Sequence, residues 1–338
     1  MNQKVWGTII VCGIISPGVG AAEPAKITSF KPPFAQVGAI ERVDPKLDEL
    51  IAPGTVIDKL AEGFTWSEGP VWQRREKRLL FSDVPHNIVY QWTEDEGVRV
   101  FLQPSGYTGT AKSESREPGS NGLAVDAQGN LVLCQHGDRR VSRLGADGKF
   151  VTLADRFDGK RFNSPNDLAF HPNGDLYFTD PPWGLPKQRE DPTRELDFFG
   201  VFRVTPAGAV HLVSRDLFPN GIAFSPDAKR LYVANGSKIA VFDVKPDGSV
   251  ENQRDLFDLS TAKLDGPDGM KVDARGNVWA AGLKGAVAVI SPDGKHLGNL
   301  RTGIRMANCA FGDDGKTLYI TSGNILVRVR LLVNGAGW

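Results

Sequence analysis

The sequence is poor in the residues that build soft-metal sites and disulfide frameworks. It holds only three cysteines and five histidines among 338 residues, and no two cysteines and no two histidines stand at the close spacing of a zinc motif. Zinc sites depend on such nitrogen and sulfur ligands, so the sequence gives no indication of a zinc-stabilised domain. Any metal site in this chain has to be built mainly from oxygen ligands.

An excess of either charge is also lacking. Lysine and arginine together number 40, and aspartate and glutamate together number 40, so the formal net charge at neutral pH is zero. A neutral chain gives no electrostatic reason to expect nucleic acid or an anionic membrane surface as a partner. We therefore predict no nucleic-acid partner.

Long apolar runs are absent apart from a short one at the beginning of the chain. Lys4 supplies a positive charge, an apolar stretch covers residues 5–15, and small residues follow at 20–22. The stretch is too short to anchor a protein in a bilayer. The pattern predicts a secretory signal peptide over residues 1–22, cleaved after Ala22, and hence a periplasmic or secreted protein without a membrane anchor. An uncleaved N-terminal helix is the alternative.

What the sequence does contain is one short sequence motif, referred to below as the phrase, that occurs six times. Each copy places an oxygen-bearing side chain directly before an apolar, strand-like run. The polar positions are Glu68, Asn121, Asn166, Asn220, Asp268 and Asn308. They are 53, 45, 54, 48 and 40 residues apart. A repeat of this length is typical of a radial β architecture.

Each phrase is followed by a turn rich in Asp, Gly or Pro and then by a second apolar run. In the fourth repeat, for example, the runs at 221–224 and 231–234 flank a turn at 225–228. Turn residues between β-branched and aromatic runs are the hairpin pattern. Three to four strands in each of six repeats predict an all-β fold, a six-bladed β-propeller. A β-solenoid is the rival, but its rungs are usually shorter than about 30 residues.

The repeats also predict how the chain is divided. We expect the propeller to cover residues 61–338, preceded by an N-terminal extension at 23–60 that packs on it. Cys134 and Cys309 fall in the second and sixth repeats, which are not neighbours in a ring of six. We therefore expect no disulfide between them.

In a ring of this kind, equivalent positions converge on the central axis. Carboxylates and amide carbonyls are hard oxygen ligands, which suit calcium, with magnesium and manganese as alternatives. A single Asn-Gly or Asp-Gly is commonly no more than a turn former. The shared register of six such residues is what favours a metal site at the mouth of the channel.

Two residues outside the phrases are further candidates. His136 follows the second strand of the second repeat, near the predicted channel mouth, and histidine is the natural general base near neutral pH. A structural histidine is the alternative interpretation. Trp183 follows the second strand of the third repeat in a long polar loop, where its ring can stack on a sugar-like substrate or form a rigid rim.

These residues resemble the gluconolactonase and regucalcin family of metal-dependent six-bladed propellers, over almost all of the chain from about residue 40. The most specific segments are 68–72, 164–167, 180–184, 219–221 and 265–270, and the second repeat is similar to the bacterial gluconolactonase branch. The resemblance implies a metal site formed by Glu68, Asn166, Asn220 and Asp268. Asn121 and Asn308 are left for the pocket wall, where we expect them, with Trp183, to contact substrate.

The resemblance also implies the reaction. We expect metal-dependent hydrolysis of a sugar-derived lactone to the aldonic acid, with calcium as the most suitable cation and a small-molecule lactone as the partner. The proton of the attacking water would be taken by Asp268 or His136. Hydrolysis of another ester or a phosphotriester is one alternative function, and a non-catalytic, ligand-binding propeller is another.

Overall fold

Nearly every regular element of the protein is a β-strand. The computed structural model describes residues 26–282 and 284–338, and its main sheets are six antiparallel blades that follow one another along the chain. The predicted all-β, six-bladed propeller is therefore confirmed. The predicted signal segment, residues 1–22, lies outside the described residues.

The blades are numbered here in chain order, and each begins with its innermost strand. Blade 1 consists of Ser67–Gln73, Arg78–Asp83, Ile88–Thr93 and Gly97–Leu102. Blade 2 consists of Ser120–Val125, Leu131–Gln135, Arg140–Leu144 and Phe150–Ala154. Blade 3 consists of Leu168–Phe170, Leu176–Asp180, Gly200–Val204 and Val210–Ser214. Blade 4 consists of Pro219–Phe224, Arg230–Asn235, Lys238–Val244 and Val250–Asp258.

The last two blades contain strands from both ends of the described chain. Blade 5 consists of Pro267–Val272, Val278–Gly282, Ala286–Ile290, His296–Arg301 and Ala39–Arg42. Blade 6 consists of Asn308–Gly312, Thr317–Ser322, Ile325–Arg330, Ile57–Glu62, Thr28–Ser29 and Ala35–Gln36. A small hairpin joins Arg156–Phe157 to Lys160–Arg161. Short 3₁₀ helices occur at Pro45–Glu49, Val84–His86, Gln188–Glu190 and Leu259–Ala262.

The ring is closed by pairing the two ends of the chain. Strand Ile57–Glu62 pairs antiparallel with Ile325–Arg330, and so becomes the fourth strand of blade 6. The predicted division between an extension at 23–60 and a propeller at 61–338 falls inside this strand. No polar phrase precedes it, because it is an outer strand and does not line the channel. Main-chain hydrogen bonds, rather than side-chain packing alone, thus hold the first and last blades together.

The innermost strands form a continuous ring around the channel. Each contacts the innermost strand of the next blade, and Asn308–Gly312 of blade 6 contacts Ser67–Gln73 of blade 1. Apolar side chains fill the space between blades. Between blades 6 and 1, for example, the rings of Trp72 and Tyr319 are stacked with their centroids 5.5 Å apart. Such aromatic pairs add to the free energy gained by burying apolar surface.

Two further features bear on the sequence predictions. Cys134 and Cys309 are both buried and both free, as expected for small apolar side chains in separate blades. Within the part of the chain that the structure describes, no helix has the length and apolar character needed to cross a membrane.

Candidate metal and catalytic site

In blades 1, 2, 4 and 5 the repeated phrase forms a β-bulge at the beginning of the innermost strand. In blade 1, Glu68 is opposite Ser82 and Val71 is opposite Leu80. The inner strand therefore advances by three residues where its partner advances by two. The same single-residue excess occurs at 120–123, 219–222 and 267–270. Bulges re-aim side chains and are common next to active sites. The bulge is therefore what turns the polar residue of these phrases out of the strand's regular alternation.

The glycines of the phrases allow neighbouring blades to approach closely. A Cβ added to Gly221 would lie 2.2 Å from the carbonyl oxygen of Asp268. One added to Gly269 would lie 1.9 Å from Cγ of Asn308. Each glycine thus faces the polar residue of the next blade, so the six phrases form one ring at the same end of the channel.

Blade 6 departs from this pattern in both sequence and structure. Its phrase has Cys309 where the others have glycine or, in blade 3, aspartate. Asn308 and Cys309 pair in regular register with Thr321 and Ile320, without a bulge. The backbone of Asn308 is consequently held in the regular strand ladder.

Two of the predicted ligands are carboxyl groups buried in this ring. Glu68 is 2% exposed, and Asp268 is 6% exposed. Burial raises the pKa of Glu68 well above its usual range, and the negative charge of Asp268 adds to the effect. Burial also raises the pKa of Asp268 to about 8, with further contributions from Glu117 and Asp167. Acids held this way are costly to ionise unless a cation is present.

The hydrogen bonding of the neutral amide oxygens shows whether the ring is suited to a cation. Oδ1 of Asn121 and Oδ1 of Asn220 are buried without a hydrogen-bond partner. Leaving a buried acceptor unsatisfied costs about 1–3 kcal/mol. A hard dication would both satisfy such oxygens and neutralise the buried acids, so the donor set fits one. Within the described residues no three His, Cys, Asp or Glu side chains converge, as expected where amides complete the set.

The predicted ligand Asn166 contacts the predicted base. Nδ2 of Asn166 lies 3.4 Å from Nε2 of His136, and both side chains are buried. Burial lowers the pKa of His136 to about 3, so its ring is neutral at physiological pH. If Nε2 accepts from the Asn166 amide, Oδ1 of Asn166 is directed away from the histidine and stays free for a cation.

Glu117 is a site residue that the sequence analysis missed. Its Oε2 lies 3.7 Å from Nδ1 of His136, and the side chain is 26% exposed. Burial raises the pKa of Glu117 to about 7, although Arg116 and Arg305 oppose the shift. Among charged groups, Glu117 makes the largest contribution to the raised pKa of Asp268. The available signal was an acid four residues before Asn121, at the end of a long inter-repeat segment.

The three predicted substrate contacts have different environments. Asn121 is 3% exposed and has the unsatisfied oxygen described above. Asn308 is satisfied internally, because its Nδ2 donates to Oδ2 of Asp167 across the ring at 3.3 Å and its Oδ1 accepts from the Cys309 amide at 2.9 Å. The half-buried Trp183 packs edge-on against Phe218, with the ring centroids 4.9 Å apart.

A cavity of about 390 Å³ adjoins this part of the ring. It lies between two loops, 107–115 and 184–193, and His136 and Arg139 form part of its wall. The volume falls within the usual range for small-molecule pockets, about 300–1,000 Å³. The ring of polar residues and this cavity together form the candidate site.

Comparison with known proteins places the chain in a family. The profile of the SMP-30/Gluconolactonase/LRE-like region matches residues 66–324. Gluconolactonase from Zymomonas mobilis is 39% identical over 310 residues, covering 87% of this chain and 86% of the relative. Regucalcin from Xenopus laevis is 29% identical over 275 residues, covering 78% and 85%. A solved gluconolactonase structure from Xanthomonas campestris has a TM-score of 0.79 at 32% identity, covering 90% of this chain and 99% of that one. The chain therefore belongs to the SMP-30/gluconolactonase/LRE-like family, as the resemblance implied.

Proposed function

We propose that the protein is a lactonase that hydrolyses a sugar-derived lactone to its aldonic acid, using one divalent cation at the channel mouth. The observation that carries the proposal is the ring of buried acids and unsatisfied amide oxygens, found in a chain that is 39% identical to a gluconolactonase. We assign Glu68, Asn166, Asn220 and Asp268 as the ligands. Calcium suits this set best, with magnesium and manganese as alternatives.

The chemistry divides between the cation and the chain. A divalent cation, when bound, polarises the lactone carbonyl and stabilises the oxyanion that forms on it. Asn121 borders the ring with an unsatisfied oxygen that can accept a hydrogen bond from a sugar hydroxyl. The cavity beside His136 supplies room for the remainder of the substrate.

Glu117 is the group that we propose takes the proton from the attacking water. A catalytic base works best with a pKa near the operating pH, and the pKa of Glu117 is about 7. Asp268 is a weak base while it coordinates a cation, and the pKa of His136, about 3, makes that ring a weak base as well. We assign His136 instead the task of orienting the Asn166 amide. The role as general base that the sequence analysis assigned to His136 or Asp268 stays a prediction.

The proposed step balances as an ordinary ester hydrolysis. Water adds its oxygen to the lactone carbonyl carbon while Glu117 accepts one of its protons. The ring carbon–oxygen bond then breaks, and the leaving alkoxide takes the proton back from Glu117. The product is the open hydroxy acid, and the side chain returns to its starting state.

Substrate class is tested with a panel of compounds on chelator-treated and calcium-reloaded protein. We expect aldonolactones to be hydrolysed by the reloaded protein and not by the stripped protein. Turnover of a phosphotriester without turnover of any lactone would favour the alternative hydrolase. A calcium-loaded sample that turns over neither would favour a ligand-binding propeller.

The location of the protein is a separate proposal. The charged, apolar and small-residue pattern of residues 1–22 supports export with cleavage after Ala22, to the periplasm or the outside of the cell. Intact mass of the protein recovered from the periplasmic fraction tests this, and a mass that includes residues 1–22 would contradict it.

A further inference from the structure

A second polar register runs parallel to the first. It consists of the residue that ends the second strand of each blade, namely Asp83, Gln135, Asp180, Asn235, Gly282 and Ser322. These positions are 52, 45, 55, 47 and 40 residues apart, close to the spacing of the repeated phrases. Because the first two strands of a blade are antiparallel, this residue lies beside the segment that leads into the phrase.

In blade 3, Asp180 fixes the chain just before a predicted cation ligand. Its Oδ1 accepts from the Ser164 amide at 2.7 Å, and its Oδ2 accepts from the Asn163 amide at 2.7 Å. The Asn163 side chain donates to the same Oδ2 at 3.0 Å. Asp180 is fully buried, so these donors supply most of its stabilisation in place of water. The predicted ligand Asn166 lies two residues after Ser164.

The same arrangement precedes two other predicted ligands. In blade 1, the fully buried Asp83 accepts from the amides of Trp66 at 3.0 Å and Thr65 at 3.2 Å, just before Glu68. In blade 4, Oδ1 of Asn235 accepts from the amide of Phe218 at 2.9 Å, two residues before Asn220.

The other three blades do not share it, including blade 5, which carries the predicted ligand Asp268. In blade 2, Gln135 accepts from the side chains of Arg140 and Ser142, which belong to its own blade. In blade 6, Ser322 donates its hydroxyl to the carbonyl of Ile304 and accepts no amide from the preceding segment. Blade 5 ends its second strand with Gly282, which has no side chain to accept from the segment before Asp268.

We propose that Asp83, Asp180 and Asn235 are positioning residues for the cation ligands Glu68, Asn166 and Asn220. The inference rests on the proposed function, because it presumes a cation at the ring. Each acceptor fixes the backbone two or three residues before a ligand, which sets the direction of that ligand's side chain. Removing such an outer partner typically weakens metal binding about 10–100-fold.

The chain offers a matched control in Asp273. It is also fully buried and accepts from the amides of Arg275 and Asn277, both at 2.9 Å, and from Nε1 of Trp279 at 3.0 Å. It lies in the turn between the first two strands of blade 5, at the opposite end of the channel. Asp180→Asn and Asp273→Asn therefore make the same chemical change at the two ends of the propeller.

The experiment is calorimetric titration of calcium into chelator-stripped full-length protein, with thermal unfolding measured in chelator. We expect both variants to melt at a lower temperature than the wild type, because each loses buried hydrogen bonds. Only Asp180→Asn should weaken calcium binding, by about tenfold or more. The milder variant Asn235→Ala should also weaken calcium binding, and it keeps the test decisive if Asp180→Asn fails to fold.

The outcomes separate this inference from the function on which it rests. Wild-type calcium affinity in Asp180→Asn or, should that variant not fold, in Asn235→Ala would overturn the positioning role and leave the metal site intact. Equal weakening in Asp180→Asn and Asp273→Asn would also overturn it, because stability alone would then explain the loss. A wild-type protein that binds no divalent cation would contradict both the proposed site and this inference.

Discussion

At the scale of single residues, the site is defined by groups that the protein leaves poorly satisfied. Glu68 accepts one hydrogen bond, from the amide of its own neighbour Gly69 at 2.8 Å, although the carboxyl is almost completely buried. The amide oxygens of Asn121 and Asn220 have no partner. Burying such groups is unfavourable without compensation, which argues for a cation at Glu68 and Asn220 and a substrate hydroxyl at Asn121.

Glu117 gives a prediction at this scale. Glu117→Gln removes the proposed proton acceptor and leaves the ligand set unchanged, so kcat should fall about 100-fold or more. Calcium affinity and KM should stay near their wild-type values. Steady-state lactone hydrolysis together with calcium titration measures both.

Glu76→Gln is the control for this variant. Glu76 is an exposed acid in the turn between the first two strands of blade 1, away from the cavity, so its removal tests the general effect of losing a negative charge. It should keep the wild-type kcat. If Glu117→Gln also keeps it, Glu117 is not the base, and Asp268 and His136 remain the candidates.

The sequence indicated the candidate residues that the repeated phrase places in a register, and it did not indicate Glu117 or Asp180. Asn166 and Asp268 could be found because equivalent residues recur at nearly constant spacing. Glu117 belongs to a loop that has no counterpart in the other repeats, so only its three-dimensional contact with His136 identifies it. Asp180 also belongs to a register, but the positioning role that we propose for it rests on the hydrogen bonds it accepts from backbone amides.

At the scale of elements, the bulge at the phrases of blades 1, 2, 4 and 5 connects sequence to site. Its glycine permits close contact between blades, and its extra residue turns the polar side chain toward the axis. The strands themselves were predictable from alternating turns and apolar runs. The bulges were not, because a one-residue change in register leaves no separate mark in the apolar pattern.

Gly221→Ala tests this element. The added methyl group would lie 2.2 Å from the carbonyl oxygen of Asp268, so the innermost strands of blades 4 and 5 must separate. Overpacking of this kind costs about 1–3 kcal/mol, and the shift of Asp268 should also weaken calcium binding. Chemical denaturation and calcium titration measure the two effects.

Gly208→Ala is the matched control. Gly208 lies in an outer turn with a φ of +85°, and no atom lies within 4 Å of an added Cβ. The substitution should cost about 1 kcal/mol through backbone strain and leave calcium binding unchanged. Unaltered calcium affinity in Gly221→Ala would mean that the close approach of blades 4 and 5 does not shape the site.

At the scale of the whole molecule, the ring is closed by strand pairing between the beginning and end of the described chain. The repeat predicted six blades, but it did not reveal that Ile57–Glu62 completes the last one. That strand lies on the outer side of its blade, where Thr28–Ser29 and Ala35–Gln36 pair with it, and it contributes nothing to the channel. Its role is set by where the ring has to close, which depends on all six blades together.

The buried carboxyls predict how stability depends on pH. The folded-state pKa values of Glu117 and Asp180 are about 7 and that of Asp268 is about 8, all above their unfolded values. The folded protein therefore holds more protons than the unfolded chain between about pH 4 and about pH 8. Unfolding becomes easier as the pH rises through this window, by about 1.4 kcal/mol per pH unit for each excess proton. His136 has the opposite sign, but its effect is complete above about pH 6.5.

Thermal unfolding from pH 6.5 to 8.5 measures this dependence. In chelator, the melting temperature should fall as the pH rises, because the buried acids lose protons that no cation replaces. In saturating calcium the fall should be much smaller, since the cation favours the ionised acids. Identical pH profiles with and without calcium would show that the ligand Asp268 does not face the cation.

The central claim is that the repeated phrases converge on one cation that the lactonase reaction requires. Asp268→Asn tests it most directly, because the change keeps the shape of the side chain and removes one of the two charges assigned to the cation. We predict that the wild type binds one calcium per chain and hydrolyses aldonolactones, and that Asp268→Asn loses both properties while remaining folded. An Asp268→Asn protein that kept full calcium binding and full lactonase activity would contradict the account.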